Sequence, residues 1–261
     1  MLAAVWAYRF FILSSIKTEF KTRFIRSKLG GFWMILHPLA QVLVYALILS
    51  QIMTAKLPGV ASQFAYPIYI LSGMVGWTLF SEILNKSLNV FIQNGNLLKK
   101  MAFPKLALPI ITIGTALVNF IIFLIMMFIV FGFLGHLPYH ALLWLPLLVI
   151  ITLSLAIGIG LFLGTLNVFI RDIGQIMEVV INFWFWLTPI VYMISIVPEK
   201  YHWLIMLNPM TGLIMGYQNV LLYDKAPNLH ILLYPAFVAC ISLILAITVF
   251  YKAKEEMADV L

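Results

Sequence analysis

Long apolar runs separated by short polar turns fill the chain. Six of them lie near 33–54, 66–89, 106–134, 141–167, 173–196 and 229–251. Each has about 20 residues or more, enough for a helix rising 1.5 Å per residue to cross roughly 30 Å of hydrocarbon. Ahead of the first run, Trp6, Phe10, Leu13, Ile16, Phe20 and Phe24 recur every three or four positions, which is helical spacing. At 100° per residue they share an arc of about 120°, with Ser14, Ser15, Thr18, Thr22 and Arg26 opposite. Arg9 and Lys17 intrude on the arc, as long basic side chains that snorkel can do. Residues 1–32 therefore predict an interfacial helix on the membrane surface. The alternative is a helix packed against the protein's own membrane domain. Its basic residues are spread from Arg9 to Lys28, unlike the compact basic start of a signal peptide.

The stretch from Pro198 to Asn228 breaks the pattern. Trp203 to Leu207 is apolar, Pro209 interrupts it, and a further apolar piece runs to Tyr223. The second piece is too short to span, a length typical of re-entrant or interfacial helices. The expectation is two short re-entrant helices within 198–223, hinged at Asn208-Pro209.

Composition agrees with this picture. The 261 residues are 64% hydrophobic and 10% charged, with a mean hydropathy of +1.07, against roughly 25% charged in a soluble domain. A soluble globular protein, a disordered chain and a nucleic-acid-binding module are all excluded as readings. Cys240 is the one cysteine, so no disulfide framework is possible. No repeat or composition shift divides residues 1–261 into separate domains.

Charge sets the orientation. Thirteen of the 16 Lys and Arg residues fall on one side of the six-span scheme: Arg9, Lys17, Lys21, Arg23, Arg26, Lys28, Lys86, Lys99, Lys100, Lys105, Arg171, Lys252 and Lys254. Lys56, Lys200 and Lys225 fall on the other. Basic residues accumulate on the cytoplasmic side, so both termini are expected there.

No catalytic constellation emerges, and no Gly-rich phosphate loop precedes a Lys-Ser or Lys-Thr pair. His136 and His140 are four apart, but Pro138 argues against a shared helical face, so a wet loop is preferred to a metal site. Ala156, Gly160 and Gly164 form a small-residue seam suited to close helix packing, within the subunit or between subunits. Glu82 and Lys86 have ion-pair spacing, in a structural or a pathway role; Glu178 is equally open. In the run Phe183-Trp184-Phe185-Trp186, Trp184 lies roughly 16 Å from Ile173 along a helix, near the midplane, where an interfacial aromatic belt does not belong. Four successive positions cover nearly a full turn, so some rings face protein or a passage. Aromatic faces suit the C–H faces of sugars, while lipid-facing bulk or core packing is the competing reading.

Further segments complete a pattern: Ser27-Lys28-Leu29-Gly30-Gly31-Phe32-Trp33 with His37-Pro38-Leu39; Asn96-Leu97-Leu98-Lys99-Lys100 with Phe103-Pro104-Lys105; Asn167 to Asp172; Leu187-Thr188-Pro189-Ile190-Val191-Tyr192; and Leu207-Asn208-Pro209-Met210-Thr211. In this order they resemble the ABC-2 type permeases, and within them the Wzm-like group that exports O-antigen and related polysaccharides. The resemblance covers essentially the whole chain. Lys105 departs from the Arg of many relatives but keeps the charge.

The resemblance implies an all-α integral membrane protein of the bacterial inner membrane. It would have six transmembrane helices, with spans one to five in 33–196, gate helices in 198–223 and span six in 229–251. It implies a transport subunit rather than an enzyme, with no cofactor of its own. It would act as a homodimer with two copies of an ABC ATPase that binds ATP and Mg. The cargo would be a glycan on undecaprenyl diphosphate, in contact with membrane lipids and not with nucleic acid. Phe183, Trp184, Phe185, Trp186 and Tyr192 would line the substrate channel. Lys99, Lys100, Phe103, Arg171 and Asp172 would couple to the ATPase. Asn208, Pro209, Met210 and Tyr217 would form the outer gate. The alternatives are an ABC-2 type exporter of small hydrophobic compounds and, from another class, a membrane lipid-sugar enzyme. The last would need clustered acids or histidines at one face.

Overall fold

A computed structural model describes residues 8–23, 30–44, 64–95, 105 and 107–260. Every regular element among the described residues is helical. In chain order the α-helices are α1 (Arg9–Arg23), α2 (Trp33–Leu43), α3 (Ala65–Gln93), α4 (Ala107–Phe133), α5 (Leu145–Phe169), α6 (Asp172–Leu187), α7 (His202–Met206), α8 (Pro209–Leu221), α9 (Leu229–Ala253) and α10 (Met257–Val260). Four segments are long and apolar enough to cross a membrane: α3, α4, α5 with its short lead-in from Leu142, and α9. They match the runs expected at 66–89, 106–134, 141–167 and 229–251. The run expected at 33–54 is described only through its first part, as α2.

Buried polar groups and glycines explain how apolar helices pack without an aqueous driving force. α3 is the central element, with 83% of its apolar stretch buried, whereas α9 is peripheral at 22%. α5 crosses α3 at the predicted small-residue seam. A Cβ on Gly164 would lie 2.3 Å from the Ser87 carbonyl oxygen, and one on Gly160 would lie 2.7 Å from Ser87 Cβ. The seam is therefore intramolecular. On another face of α5, a Cβ on Gly158 would lie 2.2 Å from Ser242 Oγ on α9. Small residues let such backbones approach closely. Buried hydroxyls donate back to their own helices, Thr152 to the Leu148 carbonyl and Thr165 to the Leu161 carbonyl, which satisfies them where no water reaches.

Two features differ from expectation. The run at 173–196 is not one long helix. α6 has 16 residues, about 24 Å at 1.5 Å per residue. It stops because Pro189 disfavours helical backbone in the residue before it, and Thr188 is extended with φ −97° and ψ 134°. The segment beyond winds through short 3-10 turns at Ile194–Ile196 and Glu199–Tyr201. The second difference concerns α1. Ile12 is buried, and Ile16 Cδ1 packs so closely on Gly114 of α4 that a Cβ there would lie 2.4 Å away. Phe10 and Leu13 remain exposed. The helix thus packs on the bundle through Ile16, at one edge of its apolar arc, and Ile12 just beyond that edge, and turns Phe10 and Leu13 outward.

The break at Asn208-Pro209 is present. Asn208 caps α8, its Oδ1 accepting from the Met210 N–H at 2.9 Å, and Pro209 occupies the first turn, where a missing N–H costs nothing. Asn228 caps α9 in the same way, accepting from the His230 N–H.

Candidate functional site

At 100° per residue, positions 184 and 186 of a helix point 200° apart, and this divides the aromatic run. Trp184 and Phe185 turn inward. Trp184 sits edge-on to Phe80 of α3 with ring centres 5.1 Å apart, and Phe185 meets Trp77 at 5.5 Å. Phe183 and Trp186 turn outward, 68% and 64% exposed. Of the five residues expected to line a channel, these two point outward, Trp186 also resting edge-on against Phe185 at 5.3 Å. Tyr192 lies past the helix end, half-buried, with its hydroxyl donating to the Leu187 carbonyl at 3.1 Å.

The outward side of α6 is chemically mixed. Gln175, Glu178 and Asn182 are exposed beside Val179 and Trp186, and at helical spacing these five fall in an arc of about 100°. An ionised carboxylate facing hydrocarbon costs about 3 kcal/mol on insertion scales. Exposed positions of α9 read differently. Leu233, Phe237, Ile241, Ile244 and Ile247 are exposed, and no charged residue lies between His230 and Lys252. α9 presents a surface for lipid, whereas α6 presents one suited to water or another protein.

The end of α6 is fixed by a polar junction that sequence reasoning did not anticipate. Asn208 Oδ1 accepts from Trp184 Nε1 at 2.8 Å as well as from the Met210 N–H. Its Nδ2 donates to Thr188 Oγ1 at 2.8 Å, and that hydroxyl donates to the Trp184 carbonyl. One side chain thereby ties the start of α8 to the indole and to the end of α6. The unwound backbone beyond Thr188 is met by long polar side chains. Tyr66 donates to the Val191 carbonyl, Tyr69 reaches the Pro189 and Tyr192 carbonyls, and Gln218 donates to the Pro189 carbonyl. Irregular backbone at membrane depth is tolerated when protein groups satisfy it in this way. The signal for Asn208 was present as a helix-cap residue before proline. Its tertiary partners were not legible.

The other expected gate residues are placed inside. Met210 and Tyr217 have no exposed surface. Tyr217 stands against Gly76, where a Cβ would lie 2.6 Å from its ring, and its hydroxyl lies 3.3 Å from Thr152 Oγ1. It anchors α8 to α3 and α5 and does not face a passage.

At the opposite end of α6, Arg171 and Asp172 are exposed in the turn from α5. Buried Asn167 braces that turn, its Oδ1 accepting from the Gly174 N–H at 2.9 Å and its Nδ2 donating to the Leu88 carbonyl at 3.0 Å. Lys99, Lys100 and Phe103 lie outside the described residues. Lys105 donates through Nζ to the Lys254 carbonyl at the end of α9, where a cation also complements the helix dipole. The Glu82–Lys86 pair forms at 3.0 Å and extends to Glu19 of α1 at 3.3 Å.

The two histidines go to separate partners. His136 Nε2 lies 2.9 Å from the Leu221 carbonyl. His140 Nδ1 lies 2.7 Å from Asp224, which also accepts from the His140 and Ala141 N–H groups. Desolvation pushes the Asp224 carboxyl up, but the hydrogen bonds from the His140 ring and from these two amides prevail and hold it below its ordinary value. Among the described residues no group of three or more His, Cys, Asp or Glu could hold a metal.

The chain is matched by the family model for the ABC-2 type transporter over residues 11–222. It is 28% identical to the O-antigen export system permease protein RfbA of Myxococcus xanthus, over 99% of this chain and 98% of that protein. A protein of the same name from Klebsiella pneumoniae is 28% identical over 93% of this chain and 92% of its own length. The polysialic acid transport protein KpsM of Escherichia coli is 22% identical over 91% of each.

Proposed function

The chain belongs to the ABC-2 type transporter family, and we propose that it is the permease subunit of an exporter of lipid-linked polysaccharide, O-antigen in the first instance. ATP would be bound and hydrolysed, with Mg, by two copies of a separate ATPase subunit. Two copies of this chain would meet along α6 and enclose the passage. The relatives named for O-antigen and polysialic acid transport support a carbohydrate cargo. The observation that carries the reading is the exposed side of α6, where Glu178 and Asn182 share one surface with Phe183 and Trp186. Lipid disfavours the first pair, and a small hydrophobic cargo would not need it. Together they suit a wet passage for a polymer that slides past many weak sites, where stacking supplies adhesion without a deep energy well.

In this reading α2 and α6, with their neighbouring residues, are two further membrane crossings, making six, and α7–α8 is a re-entrant hairpin at the outer side. Lys99, Lys100, Phe103 and the Arg171 turn would receive the ATPase at the inner side. The Asn208 junction would transmit movement of α6 to the outer hairpin. The glycan would arrive on undecaprenyl diphosphate, and both termini would be cytoplasmic.

Deleting the gene in its host tests the reading. Loss of surface polysaccharide with accumulation of the lipid-linked form, both reversed by the wild-type gene, is the expected result. Unchanged polysaccharide together with altered efflux of hydrophobic compounds would contradict it.

A further inference from the structure

A cleft of about 650 Å³ separates α1 from the facing turns of α3 and α4. It lies at the end of the bundle that carries the α5–α6 turn, and its volume falls in the ~300–1,000 Å³ range of small-ligand sites. A neighbouring cavity of about 580 Å³ shares Glu19, Thr22 and Lys86 with it.

The cleft wall holds unused hydrogen-bonding groups. Ser14, Ser15 and Thr18 line it from α1, and Gln93 from α3. None of these side chains bonds to a described residue. Thr112 of α4 is only 7% exposed and lines the same cleft. Its hydroxyl also has no partner among the described residues, whereas Thr152 and Thr165 bond the carbonyl four residues back. No buried side-chain nitrogen or oxygen among the described residues lacks a partner, so this hydroxyl opens to the cleft, where a bound group can reach it.

Charge selects the kind of ligand. Lys86 has three donors, and they are committed to Glu19 at 3.3 Å, Glu82 at 3.0 Å and Thr115 at 3.0 Å. Glu19 and Lys86 are the charged residues of the described wall and balance each other, and the ammonium is already engaged. A phosphate needs free cationic donors, and Lys17 and Lys21 are not in the lining. Hydroxyls, amides and a carboxylate match a neutral sugar, which offers many O–H groups that both donate and accept.

We propose that this cleft binds a neutral glycosyl headgroup at the membrane surface. Its hydroxyls bridge Ser14, Ser15 and Thr18 to Gln93 and Thr112. The inference rests on the transport reading only for the source of the sugar, which is the cargo or a membrane glycolipid.

Full-length permease in nanodiscs is exposed to two photoreactive lipids of equal chain length and mole fraction, monoglucosyl diacylglycerol and phosphatidylglycerol. The expected result is preferential capture of the glucosyl lipid, with crosslinks in residues 11–22 or 90–112. The double variant Thr18→Val, Gln93→Leu should lower that capture about tenfold, as loss of two ligand hydrogen bonds implies, and leave phosphatidylglycerol capture unchanged. Neither side chain bonds to a described residue, so the thermal midpoint should hold and report intact folding. Equal capture of both lipids, or undiminished glucosyl capture by the double variant, overturns the proposal. Repeating the capture in membranes from hosts able and unable to make the polysaccharide identifies the source. Competition in the first alone assigns the site to cargo, and equal capture in both assigns it to a glycolipid. A wild-type chain that captures the glucosyl lipid but exports no polysaccharide defeats the transport reading and leaves the cleft standing. Export without selective capture defeats the cleft alone.

Discussion

Gly164→Ala puts one methyl group where α5 crosses α3. The added Cβ would lie 2.3 Å from the Ser87 carbonyl oxygen, 3.1 Å from its carbon and 3.2 Å from Leu88 Cα. All three atoms are backbone, so no side chain can swing away. The helices must separate by roughly 1 Å, and overpacking of this kind costs about 1–3 kcal/mol. The higher helix propensity of Ala offsets up to about 1 kcal/mol of that. The expected net loss is about 1–2 kcal/mol, a factor of roughly 5–30 in the folded ratio. Gly132→Ala on α4 is the internal control, because nothing lies within 4 Å of its Cβ position. It should be neutral or stabilising by up to about 1 kcal/mol. The assay is thermal unfolding of detergent-purified protein followed by size-exclusion recovery, with folded yield from membranes measured beside it. If Gly164→Ala unfolds at or above the wild-type temperature, α3 and α5 do not cross at this seam.

Asn208→Leu removes the α8 cap and strands the Trp184 indole N–H, which together should cost roughly 2–4 kcal/mol; Asn208→Asp keeps the acceptor and should lose about half as much, read as a graded drop in thermal midpoint and a shift in Trp emission. The Asp224 carboxyl is held below its ordinary value, so its stabilising effect on the His140–Ala141 turn is full above pH ~4 and fades as pH falls through the folded-state pKa. The protection factors of the His140 and Ala141 amides, taken against their intrinsic exchange at each pH, should fall in acid. Asp224→Asn should show weak protection already at neutral pH and no further loss on acidification; wild-type protection in that variant would remove the carboxylate from the role.

Much of the fold was legible because apolar run length is a direct reading of membrane thickness. α3, α4, α5 and α9 follow from it, and Pro209 marks the hairpin break. The early end of α6 was missed because Thr188-Pro189 sits inside an apolar run, and run length outweighed the backbone restriction that proline imposes. The aromatic run could have been divided by helical angle alone, since 184 and 186 point nearly opposite ways. Which pair would turn inward depended on Trp77 and Phe80, more than a hundred residues earlier. Asn208 reads from sequence as part of a hinge before Pro209, but its bonds to Trp184 and Thr188 exist only in the folded bundle. The resemblance alone placed Tyr217 at the gate. The space beside Gly76 makes it core.

In the proposed transporter the outward side of α6 lines a wet path for the polysaccharide while α9 faces lipid. Single cysteines at 182, 186, 237 and 244 in a Cys240→Ala background test it with a charged, water-soluble thiol reagent. Labelling is compared in hosts that make the lipid-linked polysaccharide and hosts blocked in its synthesis. Modification is expected at 182 and 186, slowed at least several-fold when the polysaccharide is made, with no modification at 237 and 244. Equal reactivity on the two helices, or labelling at 182 and 186 that ignores the polysaccharide, would contradict it.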